Sequence, residues 1–181
     1  MEIRKTTESD KAEICNVHIK AFGNEKGSEI ADLVMGLMND KTAVPFLSLA
    51  AVEKSRIIGH ILYTKAQVTG TDESLSVRLL APLAVLPDNQ SKGVGGQLIK
   101  EGLSQLKKSG VDLVFVLGHP DYYPRSGFTP AGVLGYEAPY PIPEIHAGAW
   151  MVKELSPGIF GKIKGKVQCS EVLNEPQHWR E

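Results

Sequence analysis

The sequence predicts one α/β domain of the α+β kind, built on a mixed, mostly antiparallel central sheet that carries a single βαβ unit. Three observations predict it. Three strand-like segments follow one another in the middle of the chain, joined by short turns, which implies an antiparallel meander. A glycine-rich turn then opens directly onto an amphipathic helix. A short, wholly apolar strand follows that helix at once, and strand, helix, strand in succession gives a parallel, right-handed pair. At 181 residues the chain has room for one full domain. Roughly 70% of the unfolded surface can be buried at that length, so no metal or disulfide staple is required.

Each element has a local reason. Glu2–Lys5 reads as a short strand, and Thr7-x-x-Asp10 resembles a capping box that opens a helix. Ile14, Val17, His18, Ala21 and Phe22 recur at helical spacing and are expected to face the core. The stretch Phe22-Gly-Asn-Glu-Lys-Gly27 interrupts that pattern. Ser28 is placed to cap a second helix, whose stripe is Ile30, Leu33, Val34, Leu37 and Met38. Leu47–Glu53 and residues 57–68 are strands joined by Lys54, Ser55 and Arg56. Residues 70–74 read as a turn, and residues 75–86 as a third strand rich in Leu and Val. Residues 93–108 carry Leu98, Ile99, Leu103 and Leu106 on one helical face and end at Ser109 and Gly110. Residues 111–117 have the apolar continuity of a strand covered on both faces. Residues 120–143 hold six of the 11 prolines, and binding residues tend to gather in such irregular segments. Residues 149–155 and 166–173 read as closing strands.

Composition excludes several functions. Twenty Lys+Arg against 21 Asp+Glu leave a net charge of -1, without the basic surplus of a nucleic-acid binder. The longest nearly unbroken apolar run, residues 79–86, is interrupted by Pro82 and falls far short of the ~18 residues of a membrane span. No membrane association is expected, and the charged first ten residues show no secretory signal. Cys15 and Cys169 are too few for a disulfide framework. They are expected as free, buried thiols of a reduced, cytoplasmic protein.

The most informative stretch runs from Leu83 to Ile99, where a strand enters a glycine-rich turn and a helix leaves it. The first turn of a helix presents unpaired N–H groups and partial positive charge, and glycine lets an anion approach the backbone. Gly93, Gly95 and Gly96 would allow that approach, and Lys92 adds a formal charge. A P-loop would need Gly-Lys-Ser/Thr where Gly95-Gly96-Gln97 stands, and a dinucleotide fingerprint would need glycine at Leu98. On spacing alone, a tight connection whose glycines merely relieve steric strain stays open.

Gln90-x-x-Gly93-x-Gly95, between a strand and a helix, resembles the Gln/Arg-x-x-Gly-x-Gly/Ala pyrophosphate loop of the GNAT N-acetyltransferases. The order of elements is also that family's. Ala81-Pro-Leu-Ala-Val85, Glu101-Gly-Leu103, Leu117-Gly-His-Pro120 and Tyr123-Pro-Arg-Ser-Gly-Phe128 are similar to its YhbS-like branch. The resemblance covers residues 1–155 as an acetyltransferase domain, with residues 156–181 expected as a C-terminal extension packed on the same domain. It implies the GNAT acyl-CoA N-acyltransferase fold. It also implies acetyl transfer from acetyl-CoA, a cosubstrate used without a metal, to a primary amine by direct attack.

By the same resemblance, Leu83, Ala84 and Val85 pair with the pantetheine arm and offer an oxyanion donor. The backbone of Gln90, Ser91, Lys92, Gly93, Val94, Gly95 and Gly96 holds the pyrophosphate. Tyr123 protonates the departing sulfur, a role suited to a phenol that stays uncharged at neutral pH, and Tyr122 is expected only to pack. The chain departs from the family at Val116, where many members carry Asn. Its strand 111–117 holds only Asp112, where some members have a Glu base.

Direct attack needs a neutral amine, and a lysine-like amine is neutral in roughly one molecule per thousand near pH 7.4. A base or an exit path for protons is therefore required. The candidates are His119, at the mouth of strand 111–117, and Glu137 and Glu144 in the irregular segment. His60 is read as a satisfied sheet residue before a base, and water is a further candidate. The acceptor, a small molecule or a peptide amine, is expected in a pocket formed by the helix break, residues 22–27 with Phe22 and Glu25, and by residues 136–144, which carry Glu137. The two acids there favour a cationic amine. The basic cluster Lys162, Lys164 and Lys166 is expected on an exposed hairpin. The alternative function is a non-catalytic acyl-CoA sensor or partner-binding module. Oligomeric state is open, a homodimer included.

Overall fold

Four strands set the frame, each paired with its neighbour as a meander requires. In the computed structural model, which describes residues 1–71 and 74–180, β1 (Glu2–Lys5), β2 (Leu47–Glu53), β3 (Arg56–Val68) and β4 (Val77–Val85) run antiparallel in that order. Lys54 and Ser55 turn the β2–β3 hairpin with φ of 50° and 63°, the left-handed pair whose twist matches the flanking strands. Of the turn expected over residues 70–74, residues 72 and 73 lie outside the described residues.

The chain then crosses over. α3 (Val94–Lys108) connects β4 to β5 (Leu113–Leu117), which lies parallel to β4. β6 (Thr129–Pro130) and β7 (Tyr136–Glu137) are two-residue pieces of the irregular segment. β8 (Trp150–Glu154) pairs antiparallel with β5 and β6. β9 (Gly165–Gln168) joins β7 in parallel and the end of β3 in antiparallel pairing. The result is a mixed, mostly antiparallel sheet. Residues after 155 are tied to it by β9 and by Trp179, which packs edge-on against Trp150 at 5.6 Å. Both indole N–H groups find a carbonyl, of Tyr136 and Leu173, as buried tryptophans require.

α1 (Lys11–Phe22) and α2 (Asn24–Met38) cover the face opposite α3. The alternation of β3 shows it. A Cβ on Gly59 would meet Leu98 and Val94 of α3, whereas the next residue, His60, bonds to His18 of α1. α2 begins four residues before Ser28, so Ser28 does not cap it. A single residue, Gly23 at φ 88°, makes the break, and Gly27 lies inside the helix. A Cβ on Gly27 would come within 2.5 Å of the Ile19 carbonyl, so that glycine serves the close crossing of α1 and α2, not a loop.

Three further expectations are corrected. The closing strand is four residues long, because the amides of Glu171 and Val172 turn away to the Thr42 hydroxyl and the Asp40 carboxylate. Phe22, expected in the core, is 36% exposed. Cys15 and Cys169 are unpaired but half-buried.

Before α1 a turn of 3-10 helix (Glu8–Asp10) intervenes, and Asp10 locks it to β1. Its carboxylate accepts the Thr7 amide at 2.7 Å and a two-pronged Arg4 guanidinium at 2.7 and 3.0 Å. The Arg4 bonds, aided by the Thr7 amide, hold the Asp10 carboxyl well below the usual carboxylate range. The folded value lies below the unfolded one. The contact therefore contributes fully at neutral pH, and its contribution is lost as pH falls below about 4. Asp10→Asn is expected to lower the melting temperature more at pH 7 than at pH 3; an equal loss at both would contradict this linkage.

Candidate active site

β4 and β5 separate after four residue pairs. Leu80 faces Val116 in the last of them; beyond it β4 continues to Val85 bonded to β3 alone. The β4 edge over residues 81–85 is thus left open on the β5 side. Leu83 and Val85 line a cleft of about 600 Å³ on the α3 face, while Ala84, paired with His60, is buried toward α1.

The turn that follows explains the opposite wall. Leu86 accepts the Asn89 amide in a turn of 3-10 helix (Pro87–Asn89), and the Gln90 side chain donates back to the Val85 carbonyl at 3.0 Å. Gln90 therefore closes the loop. Ser91 at φ 60° and Gly93 at φ 84° are left-handed, and Val94 starts the right-handed helix, a sequence of conformations that gathers successive amides into a concavity. Among the described residues, the amides of residues 91–96 have no hydrogen-bond partner, and Gly93 has no side chain to cap the helix. Six free donors at the positive end of α3 can hold an anion.

The charge that completes the cleft comes from elsewhere. Lys92 is exposed and does not line it. Arg125 does, from the 3-10 turn Tyr123–Ser126, and among the described residues no acidic side chain lines the cleft. Tyr122 lines it as well: a Cβ on Gly95 would collide with the Tyr122 hydroxyl, so the glycine keeps room between that phenol and the helix. Tyr123 lies behind, buried, its ring on Gly118 and edge-on to Phe128 at 5.8 Å and Tyr122 at 5.1 Å. Burial pushes its phenol well above the ordinary range, with Tyr122 adding to the shift.

The remaining sequence candidates lie outside this cleft. His119 is exposed; its carbonyl accepts the amides of Tyr122 and Tyr123 at 3.1 and 3.4 Å, so its backbone sets the turn that carries both tyrosines. Glu25 is exposed in the first turn of α2, where an acid complements the helix end. Glu137 is exposed on β7 opposite Lys166, and Glu144 is exposed at the start of the 3-10 helix Glu144–Ala149. Lys162, Lys164 and Lys166 do not line the cleft. His60 is fully buried with both ring nitrogens bonded. Four cleft residues escaped the sequence reading: Asn89, Tyr122, Arg125 and Ser126. Arg125 and Ser126 lie within the Tyr-x-x-x-Gly-Phe motif and Tyr122 just before it, but which face of the turn each occupies depends on tertiary packing.

A sequence model described as an acetyltransferase (GNAT) domain matches residues 2–131, a span that includes every residue lining the cleft. The uncharacterized N-acetyltransferase YjhQ of Escherichia coli (strain K12) is 46% identical over 167 residues, 92% of this chain and 90% of that protein. The uncharacterized N-acetyltransferase YhbS of the same strain is 30% identical over 147 residues, 80% of this chain and 85% of its own. The fold is similar to that of Escherichia coli YhbS solved in complex with CoA, with a TM-score of 0.85 and 28% identity over 96% of this chain and 92% of that one. It is also similar to a GNAT family acetyltransferase from Brucella melitensis solved in complex with acetyl-CoA. There the TM-score is 0.70 and the identity 29%, over 95% of this chain and 97% of that one.

The loop geometry has a stability signature. A left-handed backbone costs a residue with a Cβ about 1–2 kcal/mol. Gly93→Ala should therefore destabilise the protein by about that amount in urea unfolding, and Ser91→Gly should stabilise it by up to ~1 kcal/mol. Unfolding midpoints unchanged in both variants would contradict the left-handed turn.

Proposed function

The chain belongs to the GNAT acetyltransferase family, and from that premise we propose that it transfers an acetyl group from acetyl-CoA to a primary amine by direct attack, with the cofactor in the cleft between α3 and the open edge of β4. The observation that carries this reading is the set of six unpartnered amides, residues 91–96, beside a strand edge with no neighbour. A pyrophosphate sits on those amides, and Arg125 adds the formal charge across the cleft. The pantetheine arm adds to the free edge of β4 as a strand would. Its thioester then reaches the gap that opens past Leu80 and Val116, where a main-chain N–H of β4 faces the oxygen as the carbonyl becomes tetrahedral.

Tyr123 supports the leaving group from behind Tyr122. Its raised pKa keeps it protonated, and a thiolate with a reference pKa near ~8.5 does not strip a proton from a phenol above ~10. Tyr123 therefore stabilises the departing sulfur by donating a hydrogen bond, and the thiolate takes its proton afterwards from water. The acceptor, a small-molecule or peptide amine, approaches from the α1 face, through the break at Gly23 beside Phe22. A reducing, cytoplasmic setting fits the two unpaired thiols.

A second reading, a non-catalytic acyl-CoA sensor, is favoured by one observation: among the described residues no imidazole or carboxylate lines the cleft. Thiol release from acetyl-CoA with spermidine, L-lysine, tyramine and an alanine-initial peptide separates the two. Turnover above hydrolysis with any of these amines supports acetyl transfer; micromolar CoA binding with no turnover supports the sensor. Calorimetry should show CoA affinity reduced at least tenfold in Gly95→Val. In Arg125→Ala the loss should be about 10- to 100-fold, the range of a hydrogen bond to a charged group. Tyr123→Phe should lower kcat while leaving CoA affinity within twofold, and Tyr122→Phe should do the reverse; equal losses in both parameters for Tyr123→Phe would contradict its role at the sulfur.

A further inference from the structure

The cleft ends short of the gap between β4 and β5. On β4 it is lined by Leu83 and Val85, whereas neither Leu80 nor Val116, the last pair before the two strands part, is among the described residues that line it. Tyr122 stands at that end. A Cβ on Gly95 would collide with the Tyr122 hydroxyl, and Leu83 Cδ2 lies 3.7 Å from the same point. The phenol therefore reaches from the turn after β5 to the first turn of α3, level with Leu83, which is the cleft residue of β4 nearest the gap.

Two observations set this contact apart from ordinary packing. Gly95 lies inside α3 and its backbone is not left-handed, so the helix itself does not ask for glycine there. A glycine in a helix costs about 1 kcal/mol relative to alanine. What the missing side chain provides is room between α3 and the edge of β4, and the phenol occupies that room. The hydroxyl, moreover, gains nothing polar from its position. Among the described residues it makes no hydrogen bond, although it lies against a helix start whose amides are themselves unpartnered. The ring is half-buried and rests edge-on against Tyr123 at 5.1 Å. A polar group parked without a partner, in space kept clear by a glycine, is placed to leave.

We propose that Tyr122 is a gate: in the observed arrangement its side chain bars the passage from the anion cradle to the gap between β4 and β5, and it swings aside to admit the pantetheine arm. The proposal rests on the reading of the cleft as a CoA site. An arm that adds to β4 as a strand runs about 4.8 Å from it, through the space that the phenol crosses level with Leu83. The nucleotide end meets no such bar, because Gln90, Ser91 and Gly93 line the open part of the cleft. Once displaced, the hydroxyl can donate to a phosphate oxygen on the cradle and so gains the bond it lacks when closed. Burial raises this phenol above its ordinary value, against the pull of Arg125, and keeps it a neutral donor. CoA then enters only the fraction of molecules whose gate is open, which slows its association by that fraction.

Stopped-flow binding of etheno-CoA, a fluorescent CoA altered only at the adenine, separates a gate from a fixed contact and requires no acceptor. Tyr122→Ala, which removes the bar, should bind it at least fivefold faster than the unaltered chain. Tyr122→Phe, which keeps the ring and loses the hydroxyl, should keep the original on-rate and release the ligand several-fold faster. A fixed ligand contact would leave the on-rate unchanged in both variants and speed release alone; that result overturns the gate. NMR of the unaltered chain adds a readout that no substitution can spoil. Cross-relaxation between the Tyr122 ring protons and the Gly95 α protons should be present before CoA is added and lost at saturation. Its persistence at saturation refutes the gate and leaves the cofactor site standing, whereas failure of all three proteins to bind CoA refutes the cofactor reading itself.

Discussion

The organisation of the molecule depends on β4 keeping one neighbour and losing the other. β3 stays bonded to it as far as Val85, while β5 leaves after Leu80 and Val116. A strand edge with free amide and carbonyl groups can be satisfied only by water or by a ligand that pairs like a strand. The chain adds a second unsatisfied set a few residues later, where Ser91 and Gly93 take left-handed conformations and α3 begins without a cap. Strand edge and helix end converge on one cleft. An extended ligand with an anionic end fits both.

The pleat of the sheet divides the labour between two faces. Gly59, Leu83 and Val85 turn toward α3, whereas His60 and Ala84 turn toward α1. In the proposed reading, a cofactor held on the α3 side and an acceptor arriving on the α1 side would meet at the edge of β4. The supporting aromatic layer lies under α3. Gly102 leaves room for Tyr63, whose hydroxyl donates to the Ile99 carbonyl, and farther along Tyr123 packs on Gly118, Tyr122 and Phe128. The tyrosine nearest the proposed sulfur is thereby held by packing on several sides, as a donor of fixed geometry must be.

Much of this was legible in the sequence because local chemistry and tertiary structure agree there. The β2–β3 hairpin, the amphipathic α3 and the apolar β5 each follow from a short-range pattern, and the glycine loop lies where its spacing places it. The misses have physical causes. Residues 23–27 look like a loop because they are polar and begin and end with glycine, yet Gly27 is there for its contact with Ile19, which no local pattern reveals. Lys92 stands in the loop but projects outward, and the cation of the cleft, Arg125, arrives from a turn some thirty positions later in the chain. Tyr122 and Tyr123 differ by one position, and only the turn built on the His119 carbonyl decides which of them faces the cleft. His18 fits the core stripe of α1, so its partnership with His60 could not be seen from spacing.

The anion cradle itself is open to direct observation. Titration of the 15N-labelled chain with CoA should move the amide signals of Ser91, Gly93, Val94, Gly95 and Gly96 farthest, downfield and with one saturating affinity, followed by those of residues 81–85. Saturation with these amides unmoved and the shifts gathered elsewhere on the surface would contradict it.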